Sequence, residues 1–350
     1  IVKVTSVSSK LAHGDAIKVL SESNDRVEPA CNYAVPDGCG GCDFQHIEIS
    51  AQKKFKLEVI KDQFMRIAKL EVDPEMVNTE PNNGLHWRTR FDFALSENGK
   101  AGLYSSKTKK VIEIDRCLIA IKDINNSEIF SKKWYGSDRI RIAVSSSKQL
   151  NISRGKRTID GPKKIREEVG DNIYNISPQS FWQSHTNAPS LLINLAIDLM
   201  KLTPGDIVCD LYGGVGLFTM PITKKIGNEG HVHLVEISNH SVRDAFKIFK
   251  DYNNVSIHRG SVDRKLPKIN NIDIIVLDPP RSGAGKKVIG QIISKKPRAV
   301  VYISCDPASL ARDAKFLYDS GYKLDKIMAV DLFPMTHHIE CIVRFIPSTN

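Results

Sequence analysis

Cys305 stands in the run Tyr302-Ile303-Ser304-Cys305-Asp306-Pro307, at the end of an apolar stretch with strand character. Asp306 suits a helix N-cap and Pro307 the first helical position. A thiol beside a helix N-terminus is expected to titrate low and act as a nucleophile; a buried inert cysteine is the bland alternative. Glu340, in His337-His338-Ile339-Glu340-Cys341, opens the last apolar run. If that strand is antiparallel to the others, Glu340 starts on the sheet edge where Cys305 ends, placed to take up a proton. Cys341 then points the other way and packs, and His337 and His338 read as polar surface. Asp278-Pro279-Pro280-Arg281 closes another strand on that edge. Its prolines stiffen the turn, presenting Asp278 to the pocket and leaving Arg281 for a phosphate.

The segment Cys209-Asp210-Leu211-Tyr212-Gly213-Gly214-Val215-Gly216 lies where a strand turns into a helix. Glycines there let the backbone approach a ligand, and the helix start favours electronegative groups. Glu236 ends the next strand and can accept from ribose hydroxyls. A dinucleotide fingerprint needs a third glycine, where this chain has Thr219. An acid before the glycines suits a cationic or hydroxyl-bearing ligand better than a pyrophosphate. S-adenosylmethionine, with its ribose and sulfonium, fits; a tight structural turn is the alternative.

These residues need a sheet edge to meet on, and the chain supplies the pattern. From about residue 170, apolar β-rich runs (Ile207–Leu211, Val232–Val235, Val255–Ile257, Ile272–Leu277, Ala299–Ser304) alternate with helical stretches near 216–226, 239–252, 285–295 and 308–320. That alternation predicts βαβ units and a parallel sheet covered on both faces. Two further strands, Lys323–Val330 and Glu340–Phe345, are predicted with no helix between them, so the last is antiparallel. Upstream, a helix capped by Ser50 is predicted to run to Lys69, burying Phe55, Val59, Ile60, Phe64 and Ile67 and leaving Lys53, Lys54, Lys56 and Lys61 solvated. Segments 88–95, 101–104 and 111–114 read as an antiparallel meander. Residues 1–30 read as short strands around Val2–Val4 and Ile17–Val19, with a turn at Ser21–Arg26. The first residue is Ile, so a segment ahead of it is expected.

Cys31, Cys39, Cys42 and Cys117 supply four thiolates, enough for a [4Fe–4S] cluster or a zinc site. Unligated thiols are the third reading. The seven cysteines are too few for a disulfide scaffold in 350 residues. Fifty Lys and Arg against 40 Asp and Glu leave a net charge of +10, a mild pointer to an anionic partner such as nucleic acid. No apolar run is long enough to cross a bilayer.

Taken together, these segments resemble the S-adenosylmethionine-dependent RNA uracil-C5 methyltransferases, which make 5-methyluridine in rRNA and tRNA. The resemblance rests on Ser177-Pro178-Gln179-Ser180-Phe181-Trp182-Gln183, the run from Asp210 to Phe218, Asp278 to Arg281, Ser304 to Pro307, and Phe333 to Glu340, in family order. It implies Cys305 as nucleophile and Glu340 as base. It implies Gln183, Tyr212, Gly214, Glu236 and Asp278 at the cofactor or target base, with Phe181 and Arg281 on the substrate side. It also implies a Rossmann-like α/β class I methyltransferase domain over 169–350, a seven-stranded mostly parallel sheet with the last strand antiparallel. A smaller α+β central domain is expected over 31–168, and a remnant of an OB-like RNA-binding β-barrel over 1–30. Cluster-bearing relatives share Cys39-Gly40-Gly41-Cys42 and a later cysteine, which points to a [4Fe–4S] cluster on Cys31, Cys39, Cys42 and Cys117. The gap from Cys31 to Cys39 is longer than in those relatives.

The expected partner is RNA, rRNA favoured and tRNA the alternative, for a cytoplasmic, monomeric enzyme off the membrane. Arg88, Arg90 and the basic stretch 148–168 are candidate phosphate contacts. Asp263 or a backbone group would meet the adenine amine, because position 261 is Ser. A catalytically silent RNA-binding protein and a dinucleotide oxidoreductase are the readings from other classes. The first is disfavoured by the presence of both Cys305 and Glu340, the second by Thr219.

Overall fold

The computed structural model describes residues 1–350 apart from Lys10, Ser137, Thr349 and Asn350. At the N-terminal side a hairpin pairs β1 (Val2–Val7) with β2 (Ala12–Ala16), and nearly all of its side chains are exposed. The second strand ends before Ile17 and Val19, which were expected within it; Ile17 and Lys18 instead donate their backbone N–H groups to the carbonyl of Ile1. Helix α1 (Ile49–Gln63) continues through one π-turn, Phe64–Ala68, and stops at left-handed Lys69. Its cap is Glu48 rather than Ser50: the Glu48 carboxylate accepts from the N–H groups of Ser50 and Ala51 at 2.7 and 3.2 Å.

A short strand, β3 (Glu75–Val77), follows. The expected meander is part of a six-stranded antiparallel sheet: β4 (Arg90–Leu95), β5 (Ala101–Tyr104), β6 (Val111–Glu113), β7 (Arg139–Val144), β8 (Leu150–Arg154) and β9 (Arg157–Asp160), in the order β6-β5-β4-β7-β8-β9. The one-turn helix α2 (Lys122–Asn125) lies between β6 and β7 in the chain. Trp87, Phe91, Phe93, Ile119, Ile129 and Trp134 fill the core of this region. A hairpin of β10 (Ile165–Val169) and β11 (Asn172–Ile176) then crosses the expected boundary at 168/169.

Downstream lie α3 (Ala188–Met200), β12 (Ile207–Leu211), α4 (Thr219–Ile226), β13 (His231–Glu236), α5 (Asn239–Ile248), β14 (Val255–Arg259), α6 (Val262–Lys265), β15 (Ile274–Leu277), α7 (Gly285–Ser294), β16 (Ala299–Ser304), α8 (Pro307–Asp319), β17 (Tyr322–Val330) and β18 (Glu340–Pro347). They build one sheet in the order β14-β13-β12-β15-β16-β18-β17-β3. Only β18 runs against its neighbours, as expected. The sheet has eight strands instead of seven, because β3 pairs in parallel with the outer edge of β17. An apolar core covers each face.

Helix α1 lies on this sheet beside α8, burying Ile60 and Phe64. Phe55 and Val59 are exposed, and Gln52 and Lys56 take the buried face. The expectation of a solvated Lys56 fails because its ammonium is paired with Asp331 at 2.7 Å, both side chains being 1% exposed. Arg88 and Arg90, candidate phosphate contacts, are likewise engaged inside the fold. Arg90 pairs with Glu167 at 2.7 Å, and Arg88 donates to the Arg90 carbonyl while lying over the Phe91 ring. In the basic stretch, Lys164 pairs with Asp244, whereas Lys156, Arg157 and Lys163 are exposed.

Candidate active site

Antiparallel pairing of β16 with β18 sets Ser304 opposite Cys341. Cys305 leaves β16 one residue beyond that pair, and Glu340 enters β18 one residue before it. Both therefore stand at the edge where β12, β13 and β15 also end. Asp306 caps α8, accepting from the Ser309 N–H at 2.7 Å, with Pro307 in the first turn. The thiol nevertheless does not titrate low. Burial pushes Cys305 up to about 11, helped by the Glu340 and Asp278 carboxylates, while the Arg281 guanidinium pulls it back. The helix start is already satisfied by Asp306, and burial, followed by two nearby acids, outweighs what remains of its field.

Glu340 is 3% exposed and its Oε1 has no hydrogen-bond partner. Burial, then the charge of Asp278, raises its carboxyl well above the usual range. Asp278 accepts from Gln183 Nε2 at 3.3 Å, and burial with the Asp210 charge pushes it up to about 7. Two carboxyl groups buried at one edge oppose each other's ionisation. Cys341 is buried on the other side of its strand, as expected.

The glycine turn bends through left-handed Tyr212, Gly214 and Gly216, at φ of 61°, 57° and 95°. A Cβ on Gly216 would sit 2.4 Å from the Phe249 ring, whereas one on Gly214 would meet open space. Glu236 accepts from the Gly214 N–H at 3.0 Å and from the Ser238 N–H at 2.5 Å. Asp210 was expected to face a ligand; instead its carboxylate turns inward and accepts from the Thr219 N–H and hydroxyl. Thr219, which replaces the dinucleotide glycine, is thus the residue that anchors this acid.

Tyr212 lines two hollows. One, about 340 Å³, is lined by Tyr212, Glu236, Ile237, Ser261 and Asp263. The other is small and is lined by Phe181, Gln183, Tyr212, Gly214 and Asp278. Asp263 is ion-paired with Lys287 at 2.8 Å. Phe181 is 67% exposed, an aromatic ring offered to whatever fills the mouth. The larger hollow carries the acids Glu236 and Asp263, and the smaller one carries the glycine turn, Phe181 and Asp278.

His337 and His338 were not singled out as functional. His337 Nδ1 donates to Asp43 at 2.5 Å, and His338 Nε2 accepts from Arg281 at 3.0 Å. No local signal in the sequence pairs Asp43 with a histidine 294 positions away.

Cys31, Cys39, Cys42 and Cys117 line one cavity in the antiparallel region, with Tyr33, Gln45 and Arg116. Burial pushes Cys42 up to about 12 and Cys117 to about 11. Among the described residues no three His, Cys, Asp or Glu side chains gather closely enough to hold a single metal ion. Nor is any helix among them long and apolar enough to cross a membrane.

Residues 139–346 match the family model for tRNA (Uracil-5-)-methyltransferase. An uncharacterized RNA methyltransferase of Streptomyces avermitilis is 34% identical, over 98% of this chain and 88% of its own. The 23S rRNA (uracil(1939)-C(5))-methyltransferase of Shewanella sediminis is 29% identical, over 98% and 87%. The fold matches that of the Pyrococcus abyssi tRNA (uracil-54, C5)-methyltransferase, solved with S-adenosyl-L-homocysteine. That match has a TM-score of 0.74 at 22% identity, over 99% of this chain and 92% of that one. The chain belongs to the tRNA (uracil-5-)-methyltransferase family and is an RNA uracil-C5 methyltransferase.

Proposed function

We propose that the chain methylates C5 of a uridine in 23S rRNA through a covalent adduct on Cys305. The observation that carries this reading is the meeting of Cys305 with a buried Glu340 whose Oε1 lacks a partner. S-adenosylmethionine supplies a methyl group on a sulfonium, held by Tyr212, Gly214 and Glu236. Uracil C5 is a weak nucleophile. Addition of the Cys305 thiolate at C6 forms an S–C6 bond and moves an electron pair onto the C4 carbonyl, so that C5 becomes nucleophilic. After C5 is alkylated, Glu340 removes the C5 proton, the C6–S bond breaks and the thiolate is released. Gln183 and Asp278 face the base, which must leave its stack to reach them, and Phe181 offers it a stacking surface. Arg281 serves the substrate side. The rRNA assignment is favoured by the Shewanella relative, which matches along nearly the whole chain.

The four-cysteine cavity is read as a [4Fe–4S] site. Four cysteine thiols line one hollow, and four thiolates are the ligand set of such a cluster. Anaerobically purified protein is expected to carry about four irons and four sulfides per chain; stoichiometric zinc without sulfide would overturn this.

Methyl transfer from labelled S-adenosylmethionine into separate pools of unmodified rRNA and tRNA tests the main reading. Label is expected in 5-methyluridine of the rRNA pool and is abolished in Cys305→Ala. Glu340→Gln is expected to accumulate a protein–RNA adduct resistant to denaturing gels. Label confined to tRNA would move the substrate, and turnover by Cys305→Ala would exclude the covalent route.

A further inference from the structure

The loop from Asp331 to Ile339, which delivers Glu340 to the sheet edge, is tied to the cysteine loop. The N–H groups of Asp43 and Phe44 both donate to the Met335 carbonyl at 3.0 Å, and Gln52 accepts from the Met335 N–H at 3.0 Å. Lys56 bonds to Asp331 and to the Phe333 carbonyl. His337 then donates to Asp43, and its ring lies 4.0 Å from that of His338, centroid to centroid. His338 also stands edge-on to Phe333 and closes the chain at Arg281.

Hydrogen-bond chemistry fixes the directions. A guanidinium only donates, so His338 Nε2 is the acceptor and its proton sits on Nδ1. Burial keeps this ring neutral, with its pKa pushed down to about 4; the charges of His337, Arg281 and Lys56 act in the same sense, and Asp43 opposes them. A neutral acceptor can hold an exposed arginine where an unaided one would swing through many rotamers. That arginine lies in the turn that follows β15, and Cys305 follows β16. The two strands pair in parallel with Leu277 opposite Tyr302, so Arg281 and Cys305 leave the same sheet edge side by side, and the guanidinium acts on the thiol against Glu340 and Asp278.

We propose that His338 is a positioning residue: it holds Arg281 beside Cys305, and is itself held through His337 by Asp43 of the cysteine loop. The inference rests on Cys305 being the nucleophile. It makes the thiol's readiness depend on a contact between two regions distant in sequence, so the cysteine loop braces the reacting edge as well as its own site.

The test is the pH profile of Cys305 alkylation by iodoacetamide, a neutral reagent, in the full-length protein, read on the Cys305 peptide by mass spectrometry. Loss of a charge partner shifts a thiol by about one pKa unit or more, so Arg281→Met is expected to label about tenfold more slowly below the midpoint. His338→Ala is expected to match it, and the double variant to add nothing further. His338→Gln, whose amide oxygen can accept from Arg281, is expected to restore most of the rate. Loosening of the fold alone would expose the thiol and speed labelling, the opposite sign. A wild-type profile in His338→Ala, or additive effects in the double variant, would overturn the proposal. Labelling reads the thiol itself, so the result stands even if Cys305→Ser proves to retain methyl transfer; in that event the nucleophile assignment fails, and the positioning of Arg281 does not.

Discussion

Cys305 is poorly ionised where it stands, and that shapes the reaction. A thiol at about 11 is mostly protonated near neutrality, and burial with the Asp278 charge raises the Glu340 carboxyl well above the usual range. A nucleophile and a base that must both lose protons act in the same direction. Methyl transfer per encounter, measured as kcat/KM for RNA, is therefore expected to rise with pH from about 7 to 9. The rise should be shallower in Glu340→Gln if residual turnover is measurable, because one ionisation is then removed. A bell centred near neutrality would mean that RNA binding resets both groups. Of the site residues, those at strand ends and in the glycine turn are legible in sequence, because register and turn geometry are local. The ionisation of Cys305 is not: it depends first on burial and then on acids brought in at the ends of β15 and β18, and a helix start read in isolation has the wrong sign.

Among the elements, α1 shows why helical periodicity misplaces a face. Counting apolar residues selects Phe55 and Val59, yet the fold buries Gln52 and Lys56, whose partners come from the loop ahead of β18. A buried lysine is invisible to hydrophobic patterning because its burial depends on a carboxylate 275 residues away. By contrast, β12, β13, β15 and β16 stand out as apolar runs, since both faces of the sheet are covered. The eighth strand, β3, has three residues and is recognised only by its pairing with β17. The Lys56–Asp331 pair gives a direct prediction. Lys56→Met strands the Asp331 charge in the interior and is expected to cost about 3–5 kcal/mol in urea unfolding. Replacing both residues, as Lys56→Met with Asp331→Leu, should recover most of that loss, because the burial cost of the ions disappears along with their attraction. Equal losses in the single and double variants would mean that the hydrogen bond from Lys56 to the Phe333 carbonyl is what matters.

Across the whole molecule, the antiparallel sheet and the sheet that bears the chemistry meet along a short seam. Thr89 donates its hydroxyl to the Ser184 carbonyl, Thr186 donates its N–H to the Trp87 carbonyl, and Trp87 stacks on His185 at 5.5 Å. His185 is 1% exposed; its Nδ1 accepts from the Asn187 N–H, which leaves Nε2–H without a partner. Burial pushes its pKa down to about 4 from 6.5. The unfolded chain therefore binds a proton at this residue that the folded chain refuses between those values. Its contribution is fully present above pH 6.5 and is lost as pH falls towards 4. Taking His185→Phe as the reference removes the other titrating groups from the comparison, since both proteins share them. Phenylalanine keeps a ring against Trp87 and cannot take up a proton. The stability of the wild type relative to His185→Phe should fall by about 2 kcal/mol between pH 7.5 and pH 5 in urea melts. A gap that stays constant over that range would show that water or a rearranged seam accommodates the charged ring, and the seam would then not be the acid-sensitive joint of this fold.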